Sequence, residues 1–328
     1  MQRRSIVQLL AGGTLGLGLD IGLGVAQASG YPAKALKVVV PFGPGGATDL
    51  VARVLAESLQ AQLGQSVVVD NRPGASTLIG ANAVARSAAD GYTLLVSGSS
   101  TYTVVPALRQ DVPYDPLKDF DLLAVVADAP MVLVVRPDAP YAALPELLAA
   151  AKADRAGLQY ATFGPGSAPH LLGEMFALAA GIKLSAVPYR GSAQAVMGVL
   201  GGEIGMAFDT LSSALPHIRA GKLRALAVFS AQRVAQLPDV PTVAERGLAK
   251  ATFTGWYAVA LPAGTPAPVR ARLAEALRAA LASQQVRQTL DQGALLPVFL
   301  GEAEFRRRVE QEIAQFRDVA RRAHIEME

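Results

Sequence analysis

The stretch from Phe42 to Asp49 holds the residues best suited to chemistry. It reads Phe-Gly-Pro-Gly-Gly-Ala-Thr-Asp, follows a short apolar run and precedes a helical pattern. A glycine loop between a strand and a helix exposes backbone N–H groups beside the positive end of the helix dipole, which suits a carboxylate or phosphate. Gly45, Gly46 and Thr48 are the predicted donors. A tight turn with positive φ explains the glycines equally well, and Asp49 also suits the first turn of any helix.

The tetrapeptide Phe-Gly-Pro-Gly occurs a second time, at Phe163 to Gly166. Both copies come after a predicted strand and before a predicted helix, and both units then run to a similar turn, at 71–74 and 188–191. A chain with 31 Gly and 21 Pro can repeat a tetrapeptide by chance, but the shared context favours related roles. In mirrored domains the loops would point two helix N-termini into one cleft, which a ligand with polar groups at both ends would close.

A dinucleotide-binding enzyme is the main catalytic alternative. Gly43-x-Gly45 follows a strand, and Asp70 ends the next predicted strand, where a ribose-binding acid would lie. However, Thr48 replaces the third glycine of that fingerprint, and no phosphate loop ending in Gly-Lys-Ser/Thr is present. Hydrolase chemistry has no support either, because the sequence lacks a Gly-x-Ser-x-Gly elbow.

His170 and Asp209 are further candidates for ligand contacts. His170 and Glu174 could share a helix face, but two ligands seldom make a metal site, so no metal is predicted and His170 is expected to cap its helix or bond a ligand. Asp209 ends a predicted strand, and strand carboxyl ends border the ligand crevice of open parallel sheets. There it would accept from a ligand amine or hydroxyl and repel a bare anion, unless its role is structural. His217 is predicted to be structural, and His324 lies in the tail.

Alternating strands and helices must position these residues. Strands are predicted at Leu36–Val40, Val67–Val69, Tyr92–Val96, Met131–Val135, Leu158–Thr162, Leu184–Val187, Gly205–Phe208, Leu223–Val228 and Phe253–Leu261. Helices are predicted near Thr48–Leu63, Gly80–Ser87, Val269–Ala282 and Glu302–Arg322. This alternation predicts an α/β fold with a mostly parallel sheet.

Length and composition are those of a globular protein with two cores. The chain has 328 residues, of which 51% are hydrophobic and 17% charged. Its net charge of +3 comes from basic residues that are spread out except at 306–308, which gives no support to nucleic-acid binding. The absence of Cys excludes disulfides, thiolate nucleophiles and Cys-ligated metals.

Residues 1–28 are predicted to be an export signal. Arg3 and Arg4 precede an apolar stretch that ends in Ala-Gln-Ala, so cleavage is expected after Ala28. The Sec and twin-arginine routes both remain open, because Gln2 and Asp20 are unusual in a twin-arginine signal. An uncleaved anchor helix is disfavoured by Asp20 and the many glycines.

Longer motifs carry a family resemblance over almost the whole mature length. They are PFGPGGATD at 41–49, NRPGA at 71–75, DGYTLL at 90–95, VPYRGSA at 187–193, ALPHIRAGKLRALA at 214–227 and LPDVPTVAE at 237–245. With these motifs the chain resembles the Bug family, the solute receptors of tripartite tricarboxylate transporters.

The resemblance implies a periplasmic, non-enzymatic binding protein of type II. Its two α/β domains would have parallel-type sheets flanked by helices, two crossovers and a ligand in the interdomain cleft. Residues 29–128 with 253–328 would form one domain, and 129–252 the other. The resemblance also implies no cofactor, a monomer, and transient contact with membrane transporter subunits. A sensing module and a nucleotide-dependent enzyme are the alternative functions.

The implied ligand is a small organic carboxylate: a dicarboxylate, an amino acid or a related acid. Carried onto this sequence, the ligand-binding residues are Phe42, Pro44, Gly45, Gly46, Thr48, Asp49, Thr77, Ser99, Thr162, Gly166, Ser167, His170, Ser192 and Asp209. Family members often have hydroxyl residues before the His and Asn after the Asp, where this chain has Ala168, Pro169 and Thr210. The ligand is therefore expected to be less polar than a simple amino acid.

Overall fold

Strands and helices alternate along the chain, as the sequence predicts. The structure is a computed structural model that describes residues 30–154 and 156–323. The predicted export signal, residues 1–28, and His324 lie outside the described residues.

The elements lie in three consecutive segments of the chain. The first comprises β1 (Leu36–Val40), α1 (Ala47–Leu63), β2 (Val67–Asn71), α2 (Leu78–Ala85), β3 (Thr93–Gly98), a π-helical turn (Ser100–Val104), α3 (Val105–Leu108) and β4 (Phe120–Val135). The second comprises α4 (Leu144–Ala153), β5 (Leu158–Thr162), α5 (Ala168–Ala180), β6 (Leu184–Pro188), α6 (Ser192–Gly201), β7 (Met206–Thr210), α7 (Leu211–Arg219) and β8 (Arg224–Val228). The third comprises β9 (Thr254–Pro262), α8 (Ala267–Ala282), α9 (Gln284–Gln292), β10 (Leu296–Gly301) and α10 (Glu302–Ala323).

Short apolar runs and glycine stops define the predicted elements locally. β1 buries all its residues except Lys37, as a central strand does. α1 buries one apolar stripe and ends at Gly64, whose φ of 68° and N–H bond to the Gln60 carbonyl form a left-handed helix stop.

The sheet is mixed. It contains two groups of parallel strands, β1 to β3 and β5 to β7, and antiparallel strands join these two strand groups. β1 pairs in parallel with β2 and β3, and β5 pairs in parallel with β6 and β7. The joining strands run the other way: β9 is antiparallel to β3 and β4, and β4 is antiparallel to β7, β8 and β10. The prediction of a mostly parallel sheet therefore holds within each strand group. It fails at β4 and β9, the antiparallel strands that join the two groups.

β4 is the strand common to both groups. Up to Pro130 it pairs with β9, and from Met131 onward it pairs with β7. The predicted strand covered only the apolar run from Met131, because Asp121, Asp128 and Pro130 interrupt the apolar pattern before it. The predicted domain boundary at 128/129 falls inside this strand, and the division into domains stays a prediction.

Aromatic packing ties the end of the chain to its beginning. Trp256 on β9 stacks on Tyr102 of the π-helical turn, with ring centroids 5.8 Å apart, and meets Phe305 of α10 edge-on at 5.4 Å. The second group has its own aromatic core, in which Phe208 packs against Phe176 and Phe229. Within 30–154 and 156–323, no helix is both long and apolar enough to cross a membrane.

Candidate functional site

A cavity of about 390 Å³ lies where β3, β4 and β9 meet the loops of both strand groups. It is lined by Phe42, Gly43, Pro44, Gly46, Ala47, Thr48, Pro73, Gly98, Ser99, Ser100, Ala129, Met131, Phe163, Ala168, Pro169, Arg190, Gly191, Ser192, Ala193, Gln194, Thr210, Gly255, Trp256 and Tyr257. Its size suits a small organic molecule, and its apolar walls carry a few polar groups that could fix orientation.

Helix N-termini surround this cavity. The first turns of α1, α5 and α6 contribute wall residues, and so does Thr210, the N-cap of α7. None of these four helices has a side-chain hydrogen bond from its N-cap. Because the first N–H groups of a helix have no partner within the helix and lie at the positive end of its dipole, the four termini together favour an anion.

Formal charges in the wall favour the same kind of ligand. Arg190 is the single charged side chain among the described residues that line the cavity. The carboxylate of Asp209 is bonded to the wall residues Ser192 and Thr210 and is fully buried behind them. In the described part of the chain, an anionic ligand would therefore meet one cation and no exposed acid.

The first glycine loop is held in shape by Asp49. Gly45, at φ 86°, donates its N–H to the Asp49 carboxylate over 3.0 Å. The same carboxylate accepts from Arg53 Nε at 2.9 Å and from Asn71 Nδ2 at 3.0 Å. Burial would raise the pKa of Asp49, but these hydrogen bonds outweigh it and lower that pKa below its usual range. Asp49 is thus ionised, and it stabilises the loop because its carboxylate oxygens accept hydrogen bonds from protein donors.

The second glycine loop repeats this arrangement with a different side chain. Gly166, at φ 72°, donates its N–H to His170 Nδ1 over 3.1 Å, again four residues ahead. Burial lowers the pKa of His170, which keeps the ring neutral and able to accept. Ser167 Oγ donates to the Gly164 carbonyl at 2.7 Å, and Gly164 N–H donates to Thr162 Oγ1 at 3.1 Å. The two Phe-Gly-Pro-Gly loops are therefore closed alike and face one cavity, as Phe42 and Phe163 show.

Ser192 connects the cavity wall to the buried Asp209. Its hydroxyl donates to Asp209 Oδ1 over 2.6 Å, and the Thr210 backbone N–H donates to the same oxygen at 2.6 Å. Asp209 Oδ2 has no hydrogen-bond partner among the described residues. Burial raises the pKa of Asp209 to about 7, against the lowering effect of its donors.

The π-helical turn joins the two strand groups beside the cavity. Ser100 Oγ accepts the backbone N–H of Ala168, the first residue of α5, over 3.0 Å. Further along the turn, Thr103 Oγ1 donates to the Ser99 carbonyl at 2.8 Å and also lies 3.0 Å from Glu312 of α10. A π-helical turn is often found at a functional site, and here it carries Ser99 and Ser100 into the wall.

A second cavity of about 450 Å³ adjoins the first and shares Phe42, Pro73, Phe163 and Arg190 with it. The rest of its wall includes the turn at 74–77 and Tyr189. Residues 75–77 all have positive φ without being glycine, a conformation that costs about 1–2 kcal/mol for each residue. Strain of this kind often accompanies a functional site.

The structure places the predicted site residues in three sets. Those that line the first cavity are Phe42, Pro44, Gly46, Thr48, Ser99 and Ser192. Thr77 lines the second cavity. The residues that lie behind the walls are Gly45, Asp49, Thr162, Gly166, Ser167, His170 and Asp209, and the bonds described above connect them to the two glycine loops and to Ser192.

Sequence reasoning did not single out several wall residues. Arg190 lies in the VPYRGSA motif at the end of β6 and Gln194 comes directly after that motif, so their position after a strand was an available signal. Met131, Trp256 and Tyr257 lie on β4 and β9, and their place in the wall depends on an antiparallel pairing that no local pattern reveals.

Metal binding has no support in the described part of the chain. No group of three or more His, Asp and Glu side chains there could hold an ion. Glu174, the proposed partner of His170, instead lies 3.1 Å from the hydroxyl of Tyr160, which donates to it.

Comparison with known proteins gives matches over most of the chain. Residues 51–324 match the family model described as "Tripartite tricarboxylate transporter family receptor". Protein BugT of Bordetella pertussis is 40% identical over 296 residues, which cover 90% of this chain and 91% of BugT.

Solved structures agree with these matches. Periplasmic binding protein BugD is 34% identical with a TM-score of 0.86, over 91% of this chain and 100% of that one. R. palustris Rpa4515 with adipate is also 34% identical, with a TM-score of 0.87 over 90% of this chain and 99% of the other. These likenesses confirm the predicted fold class, a periplasmic binding protein with two α/β domains.

Proposed function

This chain belongs to the tripartite tricarboxylate transporter receptor family, and we propose that it captures a small organic carboxylate in the first cavity for delivery to a membrane transporter. The family expected from the sequence motifs is confirmed, and it is a family of solute-binding receptors. The observation that carries the proposal is the ring of four helix N-termini around one cavity, whose wall, among the described residues, has one cation and no exposed acid.

The ligand's carboxylate binds at the first glycine loop, where the N–H groups at the start of α1 and the Thr48 hydroxyl are the available donors. The apolar side of the ligand faces Phe42, Met131 and Trp256. A relative of similar fold holds adipate, an acid with an apolar middle, and this supports an organic acid that is less polar than an amino acid.

The protein acts outside the cytoplasm as a monomer. Export through the Sec or twin-arginine route removes residues 1–28, and the mature receptor then meets the transporter subunits transiently. Family membership supports this location and this partner. A sensing role would use the same cavity and differ only in the membrane protein contacted.

Thermal unfolding with a panel of organic acids tests the proposal. An acid at a hundredfold excess over its Kd should add roughly 2.7 kcal/mol to the unfolding free energy, whereas NAD should add nothing. Trp256, the single tryptophan of the chain, lines the cavity and should report the same binding by a change in emission. Stabilisation by NAD alone would favour the enzyme, and no response to any carboxylate would refute the receptor.

Thr48→Val tests the location of the site. It removes the hydroxyl from the cavity wall and keeps the shape of the side chain, so carboxylate affinity should fall several-fold. The matched control is Thr289→Val on α9, outside both cavities, where affinity should stay at the wild-type value. Equal affinities in the two variants would place the carboxylate elsewhere.

A further inference from the structure

Arg190 lies at the junction of the two cavities. It is one of the four residues that line both, together with Phe42, Pro73 and Phe163. Among the described residues, neither cavity wall contains any other charged side chain. The residues shared by the two cavities are therefore three apolar side chains and one cation.

The backbone beneath Arg190 is fixed on both sides. Tyr189 N–H donates to the Thr162 carbonyl at 2.9 Å, and Ala195 N–H donates to the Gly191 carbonyl at 3.1 Å. The Arg190 N–H itself bonds to Gln194 Oε1 at 3.2 Å. The side chain thus starts from a defined point in the loop between β6 and α6.

The guanidinium of Arg190 has no acceptor among the described residues, in contrast to the cations near the first loop. Arg53 is paired with Asp49 at 2.9 Å, and Arg72 is paired with Asp70 at 2.8 Å. An arginine that is exposed, unpaired and placed over an apolar opening has its full set of donors free for a carboxylate.

We infer that Arg190 selects the ligand by binding a second carboxylate, so that the receptor prefers unbranched α,ω-dicarboxylates that reach from the first glycine loop past Phe42, Pro73 and Phe163 to the guanidinium. This inference rests on the proposed function, since it takes the first carboxylate to be at the glycine loop. The apolar sides of the junction fit a methylene chain, and they offer nothing to a hydroxyl or an amine in the middle of the ligand.

The same arrangement disfavours amino acids. A ligand ammonium would find no exposed acid among the described residues of either wall, and it would lie in the positive field of the helix N-termini. The carboxylate of Asp209 lies behind the wall, but Ser192 and the Thr210 backbone already bond to its Oδ1, and the residue is fully buried.

Calorimetry with matched ligands tests this inference. Succinate, glutarate, adipate and pimelate are each compared with the unbranched monocarboxylate of equal length, and glutarate is also compared with glutamate. In the wild type the best diacid should bind at least about tenfold more tightly than its monoacid, and glutarate more tightly than glutamate. Added salt should weaken binding of the diacid more than binding of the monoacid, because the contact at Arg190 is exposed to solvent.

Arg190→Gln should weaken the best diacid about threefold to tenfold and leave monoacid affinity within about twofold, while Arg190→Lys should restore part of the diacid affinity. Arg307→Gln, an exposed position on α10 outside both cavities, is the matched control and should change neither. Equal loss for both ligand classes, or no loss, would overturn the role of Arg190. If the wild type binds monoacids and diacids equally well, the inference of diacid selection is wrong but the proposed function as a carboxylate receptor is kept. If the wild type binds none of these acids, the proposed function itself is refuted.

Discussion

The hydroxyl of Ser192 reaches from the cavity wall to the buried carboxylate of Asp209 across 2.6 Å. Through this bond, the charge of Asp209 can affect the cavity wall although Asp209 itself lies outside the cavity. Since burial raises the pKa of Asp209 to about 7, that charge appears near neutral pH.

The Asp209 carboxyl should make both stability and affinity depend on pH. Its pKa is higher in the folded state than in the unfolded state, so between about pH 4 and pH 7 the native state binds more protons, and stability falls as pH rises through that window. Relative to Asp209→Asn, the wild-type unfolding free energy should fall by up to about 1.4 kcal/mol per pH unit there and level off above it. Carboxylate affinity should also fall as the negative charge appears behind Ser192.

Denaturant titrations and calorimetry between pH 4 and pH 9 measure both effects. Asp291→Asn, an exposed acid on α9, is the control and should follow the wild-type profile. Parallel curves for wild type and Asp209→Asn would mean that the carboxyl does not titrate in this range.

Asp49 should support ligand binding without touching the ligand. Asp49→Ala leaves the Gly45 N–H, Arg53 and Asn71 without their common acceptor, so we expect a loss of about 1–3 kcal/mol in stability and weaker carboxylate binding. Because hydrogen bonds lower its pKa, the contribution of Asp49 should be present above its unfolded pKa and be lost as pH falls through the folded pKa.

Asp70→Ala is the matched control for this loop. Asp70 also pairs with an arginine, Arg72, but both side chains are partly exposed, and such a pair is worth about 0–1 kcal/mol. Equal effects of the two variants on ligand affinity would show that ligand binding at the first loop does not depend on the Asp49 carboxylate.

Glu312 should be a large contributor to stability near the cavity. It accepts from Trp256 Nε1 at 2.8 Å and from Arg308 Nε at 2.9 Å, and Thr103 Oγ1 lies 3.0 Å from it. Glu312→Ala leaves these donors unpaired and should cost about 3 kcal/mol. Urea unfolding followed by Trp256 emission measures the loss, and Glu310→Ala, exposed on the same helix, should stay within about 0.5 kcal/mol of wild type. A loss in Glu312→Ala no larger than in the control would mean that the cluster adds nothing.

Export should yield a mature chain that begins at Ser29. Intact-mass analysis of the periplasmic fraction measures the cleavage site, and changing Arg3 and Arg4 to Lys separates the two routes, because only a twin-arginine signal should fail. A full-length chain recovered from the cytoplasm would contradict export and the function that depends on it.

Local patterns predicted those parts of the fold that depend on local forces. β1 and β5 begin and end at the predicted residues, and α1 begins one residue before its predicted start at Thr48. β10 was not predicted, because Pro297 interrupts a short run whose pairing with β4 is fixed by tertiary contacts.

The candidate site was predictable in kind and less so in detail. Glycine loops identify N–H donors, and both Phe-Gly-Pro-Gly loops do face one cavity. His170 was expected to cap its helix or bond a ligand; its Nδ1 accepts from Gly166 at the start of α5, and a contact with the ligand stays a prediction. Wall residues such as Trp256 depend on which strands become neighbours, a property of the whole chain.

The position of β9 between β3 and β4 has a consequence for how the chain is made. β3 ends at Gly98, and the strand that covers its edge begins at Thr254, so the ribosome must complete most of the polypeptide before the first strand group can close. Contacts between such distant segments form slowly, because a long loop must be ordered first. Until then the edge of β3 is open to pairing with another nascent chain, which makes early synthesis the stage at which this protein most needs a chaperone.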